Sequence, residues 1–292
     1  MSEEYPNLQQ EVQTPDGFLN EFKTEHMPGT VEMSDKAIER YEEQNGELTA
    51  DFVRKNFNTL LHRMIEIETE LYQEYEKQAV NHSPVLFLDE HYQEDNEYPE
   101  TQQLLSDIER IFEEEDDFED FFKRMFPKIY PLANYISQSA SQSRRNRAGK
   151  SLESHIENLL EKMGYDFDRQ EEVEGATIDI IIPSMDAFHN NPDYTIFLAC
   201  QTTLKDRFRL SLSKLPTVNR VRAFIATATG KNLITSSDEE DLTEKKVQEI
   251  EDKGYRIIVF DEVKERFPDN NTVVSYSDFA QKELPTVEQG WN

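Results

Sequence analysis

The sequence predicts an α/β protein in which a mixed central β-sheet is flanked by helices and preceded by a helical region. Three observations favour this class. Apolar residues recur at helical spacing along much of the first 140 residues. After residue 141, short apolar runs typical of buried strands alternate with helical stretches. Pro and Gly residues separate these segments. We therefore divide the chain into an N-terminal arm and helical region at 1–140 and an α/β domain at 141–292.

The helical region begins with a segment that shows little periodicity. Residues 1–30 carry Pro6, Pro15 and Pro28, so we expect a mostly irregular arm. Helices are then predicted at 35–45, 48–80, 100–113 and 116–126, with a further one running towards 140. Pro84 is expected to end the second of these helices, and Pro127 and Pro131 are expected to interrupt the last.

The α/β domain opens with a predicted amphipathic helix at 149–163, which Gly164 ends. A polar strand at 165–173 follows, and its polarity suits the edge of a sheet. Further strands are predicted at 177–183, 195–201, 221–227 and 255–260, and further helices at 206–215 and 240–252. This order of elements is typical of a mixed sheet with helices on its faces.

The composition is strongly acidic, with 60 Asp and Glu against 31 Lys and Arg and a formal net charge of −29. Such an excess indicates either a disordered interaction surface or the acidic coat of a folded protein that works in high salt. The acids are interspersed with regularly spaced apolar residues, which favours the halophile-like coat.

The cysteine count and the hydropathy bear on the compartment. Cys200 is the one cysteine, so the chain forms no internal disulfide and fits a reducing environment. The sequence shows no signal-peptide pattern and no apolar run of membrane-spanning length. We therefore expect a soluble cytoplasmic protein without a membrane partner.

Two basic islands stand out in this acidic chain. Residues 140–150 carry a net charge of +4 and residues 201–222 about +5, whereas residues 151–200 between them carry −9. The islands contain these candidate DNA-binding residues: Arg144, Arg145, Arg147 and Lys150 in the first, and Lys205, Asp206, Arg207 and Arg209 in the second. Cations concentrated in this way predict that a phosphate backbone docks there, and we expect double-stranded DNA. The alternative is that the first island only offsets the acid coat.

Carboxylates lie between the islands. Asp179 interrupts a very apolar strand, and an unpaired carboxylate buried there would cost several kcal/mol, so it is expected at an opening or beside a cation. Glu153 and Glu157 lie one turn apart on the preceding helix, and Gln201 ends the next strand. Carboxylates that converge from a helix and a strand suit Mg²⁺. Glu157 could instead be a surface acid.

His155 lies between the two glutamates on the same helix, and a packing or surface role is expected for it rather than catalysis. With six scattered histidines in the chain, a zinc site is not expected.

These residues form three blocks that resemble EcoRII-type and PspGI-type restriction endonucleases. The run from Arg147 to Glu157, Arg-Ala-Gly-Lys-Ser-Leu-Glu-Ser-His-Ile-Glu, resembles their helix signature. The run from Ile178 to Pro183 is similar to their Pro-Asp-Phe strand, with Ile178 where Pro is usual. The run from Cys200 to Arg209, Cys-Gln-Thr-Thr-Leu-Lys-Asp-Arg-Phe-Arg, is similar to their Lys-Thr-Thr-Cys-Lys-Asp-Arg-Trp-Arg block. The resemblance covers about residues 135–265.

The resemblance implies a PD-(D/E)XK nuclease fold for 141–292 and Mg²⁺-dependent cleavage of both DNA strands. It implies a short target flanked by C·G pairs, of the CCGG or CCWGG kind. Glu153 and Asp179 would be metal ligands, and Arg207 would match a functional arginine of the family. Asp206 and Arg207 also suit base reading, because a carboxylate accepts from cytosine N4 and an arginine fork fits guanine O6 and N7.

Gln201 departs from the family pattern, because the catalytic lysine of the family falls on this position. Glutamine can hydrogen-bond the attacking water but cannot act as a base. Three explanations stay open: Lys205 replaces the lysine from the following turn, Gln201 is a tolerated substitute, or the chain binds DNA without cutting it.

The sequence thus predicts a type II restriction endonuclease that acts as a homodimer, since a two-fold DNA site calls for a two-fold protein. A cognate DNA methyltransferase would act on the same site. The alternative is a catalytically impaired, sequence-specific DNA-binding protein on the same fold. A repair nuclease of this fold is a third reading.

Overall fold

In the computed structural model, the predicted α/β domain contains a six-stranded β-sheet. The structure describes residues 5–13, 27–86, 98–201, 204, 212–213, 215–216, 220–228 and 242–290, and at 12–13, 79–86 and 139–149 it describes the backbone alone. The chain divides into two compact units. We call Met1–Gly29 with Glu70–Asn146 the helical unit, and Thr30–Thr69 with Arg147–Asn292 the sheet unit. The sheet unit therefore takes up residues 30–69 as well as most of the predicted α/β domain.

The strands of the sheet follow each other in chain order. They are β1 (Asp168–Val173), β2 (Ala176–Ile182), β3 (Ile196–Gln201), β4 (Arg222–Thr227), β5 (Arg256–Val259) and β6 (Val273–Ser275). The pairs β1–β2 and β2–β3 are antiparallel, and β3 to β6 run parallel. The predicted mixed sheet is confirmed, with the polar strand β1 at its edge as expected. The short strand β6 escaped the prediction because three residues carry too little periodicity.

Several helices of the first 162 residues are longer than the sequence pattern suggested, whereas the helix predicted at 240–252 begins only at Glu244. They are α1 (Leu8–Gln13), α2 (Thr30–Asn45), α3 (Ala50–Leu86), α4 (Pro99–Glu114), α5 (Phe118–Lys162), α6 (Met185–Asn190), α7 (Glu244–Asp252) and α8 (Asp261–Lys264). Short helical segments follow β6 at Tyr276–Asp278, Phe279–Glu283 and Pro285–Glu288. The helix predicted at 206–215 lies mostly outside the described residues.

Three prolines fail to end helices where they were expected to. Helix α3 continues past Pro84, and α5 runs through Pro127 and Pro131 to Lys162, so it joins three predicted helices into one. A proline removes one backbone hydrogen bond, and packing on either side can compensate for that loss. Residues Leu132 and Ile136, just after the prolines, are buried in the core of the helical unit.

The N-terminal arm also contains more structure than predicted. Tyr5 and Leu8 are buried with Leu104, Leu105, Leu132 and Ile136. Glu11 of α1 accepts hydrogen bonds of 2.9 Å from the backbone N–H groups of Glu100 and Thr101, in the first turn of α4. A carboxylate at a helix N-terminus satisfies donors that have no partner inside the helix. The prediction of an irregular arm was therefore wrong for residues 8–13.

The core of the sheet unit lies on both faces of the sheet. The central strands β2 to β5 are almost completely buried, as is typical of strands covered on two sides. The sheet-unit part of α3 buries Phe57, whose ring stacks on Tyr276 at 6.0 Å and meets Phe279 edge-on at 6.3 Å. The final turns of α5 bury Leu152, Ile156, Leu159 and Leu160. Gly164 then adopts a φ of 80° and ends α5 where predicted.

None of the helices in the described ranges has the length and apolar character needed to cross a membrane.

Candidate active site

Asp179 lies in the middle of β2, between buried isoleucines. Ile178 and residues 180–182 are buried, whereas Asp179 is only partly buried. The pairing of β2 with β3 covers residues 180–182, so Asp179 lies where this pairing stops. Its Oδ2 accepts a hydrogen bond of 2.7 Å from the backbone N–H of Cys200 on β3. The carboxylate thus supplies a partner for a backbone donor at the point where the two strands separate.

Gln170 connects Asp179 with Glu153. The side-chain Nε2 of Gln170 donates a hydrogen bond of 3.1 Å to Oδ1 of Asp179 and another of 2.6 Å to Oε1 of Glu153. Glu153 belongs to α5 and Asp179 to β2. Because one amide nitrogen contacts both carboxylates, the fold brings these two predicted site residues together.

The position of Gln170 depends on an unusual backbone conformation. Its φ is 52°, in the left-handed region that side chains other than Gly, Asn and Asp rarely adopt. The β1–β2 register pairs Arg169 with Ile180 and Glu171 with Ile178, so Gln170 stands opposite Asp179 at a position that the register skips. This interruption of the hairpin aims the amide at the carboxylates. Backbone strain of this kind is concentrated at functional sites.

Burial raises the pKa of both carboxyl groups. For Glu153 the hydrogen bond from Gln170 opposes the increase, the charge of Asp179 adds to it, and the charges of Lys150 and Arg169 oppose it. For Asp179 the hydrogen bonds from Cys200 and Gln170 oppose the effect of burial on the pKa. Two partly buried acids in one place are more stable ionised when a cation binds them.

Glu157 lies one helical turn after Glu153 and is buried, with 7% of its surface exposed. The alternative that it is a surface acid was therefore wrong. Burial raises its pKa to about 7, although Arg169 opposes this increase. The guanidinium of Arg169 lies 3.1 Å from Glu157 and 2.9 Å from Glu161. Glu157 is thus an acid that changes charge near neutral pH beside the candidate site.

Buried polar contacts hold the segment of α5 that carries Glu153. His155 is completely buried, and its ring bonds at Nε2 to Glu68 of α3 at 2.9 Å and at Nδ1 to Ser34 of α2 at 2.8 Å. The hydroxyl of Ser151 donates to the same carboxylate of Glu68. The network joins α2, α3 and α5, since buried polar groups are stable only when they are paired. This supports the packing role that was expected for His155.

Gln201 is the last residue of β3. It pairs with Thr227 of β4 and is partly buried. The preceding residue, Cys200, carries the N–H that bonds Asp179, so Gln201 follows directly on a contact of the candidate site.

The two basic islands are described only in part. Lys150 is exposed on α5, and its charge acts on Glu153. The structure describes the backbone of α5 at Arg144, Arg145 and Arg147 but not their side chains. The candidate DNA-binding residues of the second island lie entirely outside the described residues: Lys205, Asp206, Arg207 and Arg209.

The donors of the site suit a hard cation. Among the side chains that the structure describes, no group of three or more His, Cys, Asp and Glu is arranged to hold a metal ion. Glu153 and Asp179 nevertheless supply two carboxylates, which is what Mg²⁺ ordinarily takes from a protein while it keeps several waters. The amide of Gln170 donates its N–H hydrogens, which carry partial positive charge, to both. It occupies the kind of position that attracts a cation, so the residues fit Mg²⁺.

Gln170 and Arg169 were not among the site residues predicted from the sequence. Both belong to the polar edge strand β1, where Asp, Arg, Gln and Glu residues look alike in any hydropathy pattern. One usable signal was the cation of Arg169 within the acidic residues 151–200. Gln170 gave no such signal, because its left-handed backbone conformation has no signature in a glutamine.

The mixed sheet with its flanking helices defines the fold class. It is an α/β, PD-(D/E)XK-like fold, which two solved structures share. Metal-depleted Ecl18kI in complex with uncleaved, modified DNA matches with a TM-score of 0.69 and 18% identity, over 96% of this chain and 86% of that chain. The PspGI–substrate DNA complex matches with a TM-score of 0.54 and 18% identity, over 91% of this chain and 95% of that one.

The chain itself belongs to the family described as EcoRII C terminal, whose model matches residues 110–280, more than half of the chain. It is 29% identical over 139 residues to the type II restriction enzyme EcoRII of Escherichia coli, across 46% of this chain and 31% of that enzyme. It is 24% identical over 167 residues to the type II restriction enzyme SsoII of Shigella sonnei, across 54% of this chain and 51% of that enzyme. The chain thus matches 31% of the length of the first of these relatives and 51% of the second.

Proposed function

We propose that this protein is a type II restriction endonuclease that makes Mg²⁺-dependent double-strand cuts at a short, C/G-flanked DNA site of the CCGG or CCWGG kind. The observation that carries the proposal is the convergence of Glu153 and Asp179 on one amide nitrogen, in a chain of the EcoRII C-terminal family. A cognate methyltransferase that modifies the same site would protect host DNA, without contact between the two proteins.

Glu153 and Asp179 would hold the Mg²⁺ ion. When bound, such an ion polarises the phosphate and lowers the pKa of a bound water. The chain's own contribution is to keep the two carboxylates in place. The backbone N–H of Cys200 orients Asp179, and the buried contacts of His155 and Ser151 fix the helical turn of Glu153.

Gln201 is proposed to hydrogen-bond the attacking water, since its amide can donate and accept but cannot take up a proton at neutral pH. Lys205 stays the candidate for a cationic replacement of the family's lysine. Gln201 follows the residue that contacts Asp179, and it carries no charge at that point. This keeps a second function open, that of a sequence-specific DNA-binding protein that does not cut.

DNA would be held by the two basic islands. Arg144, Arg145, Arg147 and Lys150 would contact phosphates, together with Lys205 and Arg209, and Asp206 and Arg207 would read bases. The acidity of the chain as a whole, with its net charge of −29, would disfavour non-specific binding and suit work at high salt.

A homodimer is proposed as the active form, and an exposed aromatic stripe in the helical unit supports it. The rings of Phe118, Phe122, Phe126 and Tyr130 follow one face of α5, with centroids 5.5–6.1 Å apart. Each of these residues exposes 45–77% of its surface, and Phe112 exposes 70%. The five together present roughly 600 Å², at the upper end of what monomers leave exposed. Two copies face to face would bury about 1,200 Å², the lower bound of a stable interface.

The test is digestion of plasmid DNA by the purified chain from low to molar KCl, with Mg²⁺ and with EDTA. We expect discrete fragments only with Mg²⁺, and their ends give the recognition site and the stagger. Sequence-specific retention of DNA without cutting at any salt would favour the binding protein. Fragments with no common end sequence would favour a repair nuclease.

A further inference from the structure

Gln170 is a site residue that neither the sequence motifs nor the family resemblance assigns. Its amide nitrogen bonds Glu153 at 2.6 Å and Asp179 at 3.1 Å, so it takes one acceptor position from each candidate metal ligand. The amide of Gln170 bridges the two carboxylates, and Gln170 is exposed at the edge of the sheet. A cation that binds both carboxylates therefore meets this N–H group first.

The contact between Gln170 and the carboxylates is built by the fold. A regular β-hairpin would pair Gln170 with Asp179, but here the register skips this position and Gln170 adopts a φ of 52°. Such a conformation is unfavourable for a residue other than glycine and persists only where neighbouring structure compensates. On either side of Gln170, the pairs Arg169–Ile180 and Glu171–Ile178 keep the hairpin in register.

We propose that Gln170 is a latch on the metal site: its amide holds Glu153 and Asp179 together, and cation binding requires its release. The inference rests on the proposed function, since it assumes that these two carboxylates bind the cation. The amide of Gln170 and the cation compete for the same two carboxylates. Hydrogen bonds to charged acceptors are strong, and a divalent cation repels the N–H end of the amide while it attracts the same carboxylates. Gln170 is therefore a positioning residue that tunes the affinity and timing of metal binding.

The latch predicts that shortening or removing the Gln170 side chain tightens cation binding. Two variants suit the backbone at this position, because Gly and Asn both tolerate a positive φ. Gln170→Gly removes the amide, and Gln170→Asn shortens its reach by one methylene group. Mn²⁺ binding to the full chain, measured by calorimetry and by electron paramagnetic resonance in the absence of DNA, reports the affinity without any need for cleavage. We expect both variants to bind Mn²⁺ about tenfold more tightly than the wild type, by the loss of at least one charge-assisted hydrogen bond.

A matched control is available in Gln248, whose Nε2 donates to Asp252 at 2.9 Å on the exposed face of α7. Gln248→Gly should leave Mn²⁺ affinity unchanged, and Asp179→Asn should abolish the binding. Unchanged or weaker affinity in both Gln170 variants, with binding still lost in Asp179→Asn, would overturn the latch and leave the metal site standing. Binding that survives Asp179→Asn, or that is missing in every variant, would instead overturn the proposed metal site and the latch with it.

Discussion

The carboxylate of Asp179 accepts the backbone N–H of Cys200 at 2.7 Å, and this contact ties the middle of β2 to the end of β3. It leaves Oδ1 of Asp179 facing the amide of Gln170, with Glu153 on the other side of that amide. The same carboxylate therefore has a structural partner on one oxygen and a candidate metal-binding role on the other.

Asp179→Asn should separate these two roles. The amide oxygen of asparagine can still accept the N–H of Cys200, whereas the variant loses the negative charge that a cation requires. We expect Mg²⁺-dependent cleavage to fall at least about a hundredfold, and the melting temperature in EDTA to stay at or above that of the wild type. Cleavage assays and differential scanning calorimetry measure the two effects. Retained cleavage would place the metal ligands elsewhere.

Gln201→Lys tests the departure from the family pattern. A lysine at the end of β3 would place a cation next to the Cys200–Asp179 contact, where it can stabilise the attacking water and the developing charge. We expect cutting to appear in an inactive wild type, or to increase about tenfold or more in an active one. The same cleavage rate in Lys205→Ala as in the wild type would show that Lys205 is not already a substitute. A Gln201→Lys protein that binds the DNA site and does not cut would contradict the hypothesis that the active site is intact apart from the lysine.

Glu157→Gln should change how stability depends on pH. Burial raises the pKa of Glu157 in the folded protein to about 7, from an ordinary value of 4.5. Stability from the protonated form is fully present below about pH 4.5 and is lost as the pH rises through 7, because the folded state resists an ionisation that the unfolded state accepts. Glutamine stays neutral, so the variant should avoid a loss on the order of 2 kcal/mol between these pH values.

Urea unfolding in EDTA, from pH 4.5 to 8, measures this effect. The control is Glu161→Gln, since Glu161 is exposed and pairs with the same Arg169 at 2.9 Å. It should keep the pH dependence of the wild type. Parallel curves for the wild type and Glu157→Gln would refute the raised pKa.

His155→Ala should destabilise the protein. The change removes one partner of Glu68 and one partner of Ser34 inside a buried network, and a buried carboxylate that loses a hydrogen-bond partner is less stable. We expect the free energy of unfolding to fall by about 2–4 kcal/mol. His189→Ala is the control, because His189 is exposed on α6. Equal losses in the two variants, measured by urea unfolding, would contradict the network.

Phe122→Glu should weaken self-association. Phe122 lies within the aromatic stripe and stacks on Phe126 at 5.5 Å, so a buried charge there would oppose contact between two copies. We expect a shift from dimer to monomer in sedimentation analysis, with unchanged circular dichroism. Phe52→Glu is the control, since Phe52 is exposed at 44% in the sheet unit. A dimer that tolerates Phe122→Glu would move the interface away from the stripe.

Local sequence patterns were enough to predict the central strands, the helix that carries Glu153, and the family to which the chain belongs. Buried strands such as β2 and β4 can be predicted from runs of apolar, β-branched and aromatic residues, because the apolar surface that drives burial belongs to the side chains of the strand itself. The candidate site residues could be chosen on separate grounds: Glu153 falls within the family's helix signature, Asp179 interrupts an apolar run, and Gln201 departs from the family motif.

Contacts between distant segments decided the remainder. Packing of residues beyond Pro127 and Pro131 kept α5 continuous, although the local preference favoured a break. Glu157 became buried because α5 lies against the edge strand that carries Arg169, and the pKa near 7 follows from that burial. The position of Gln170 between two carboxylates depends on a hairpin register and a left-handed φ. The sequence by itself determined which residues avoid water, and only the tertiary structure decided which polar groups meet, because hydrogen bonds and charges act between neighbours in space rather than along the chain.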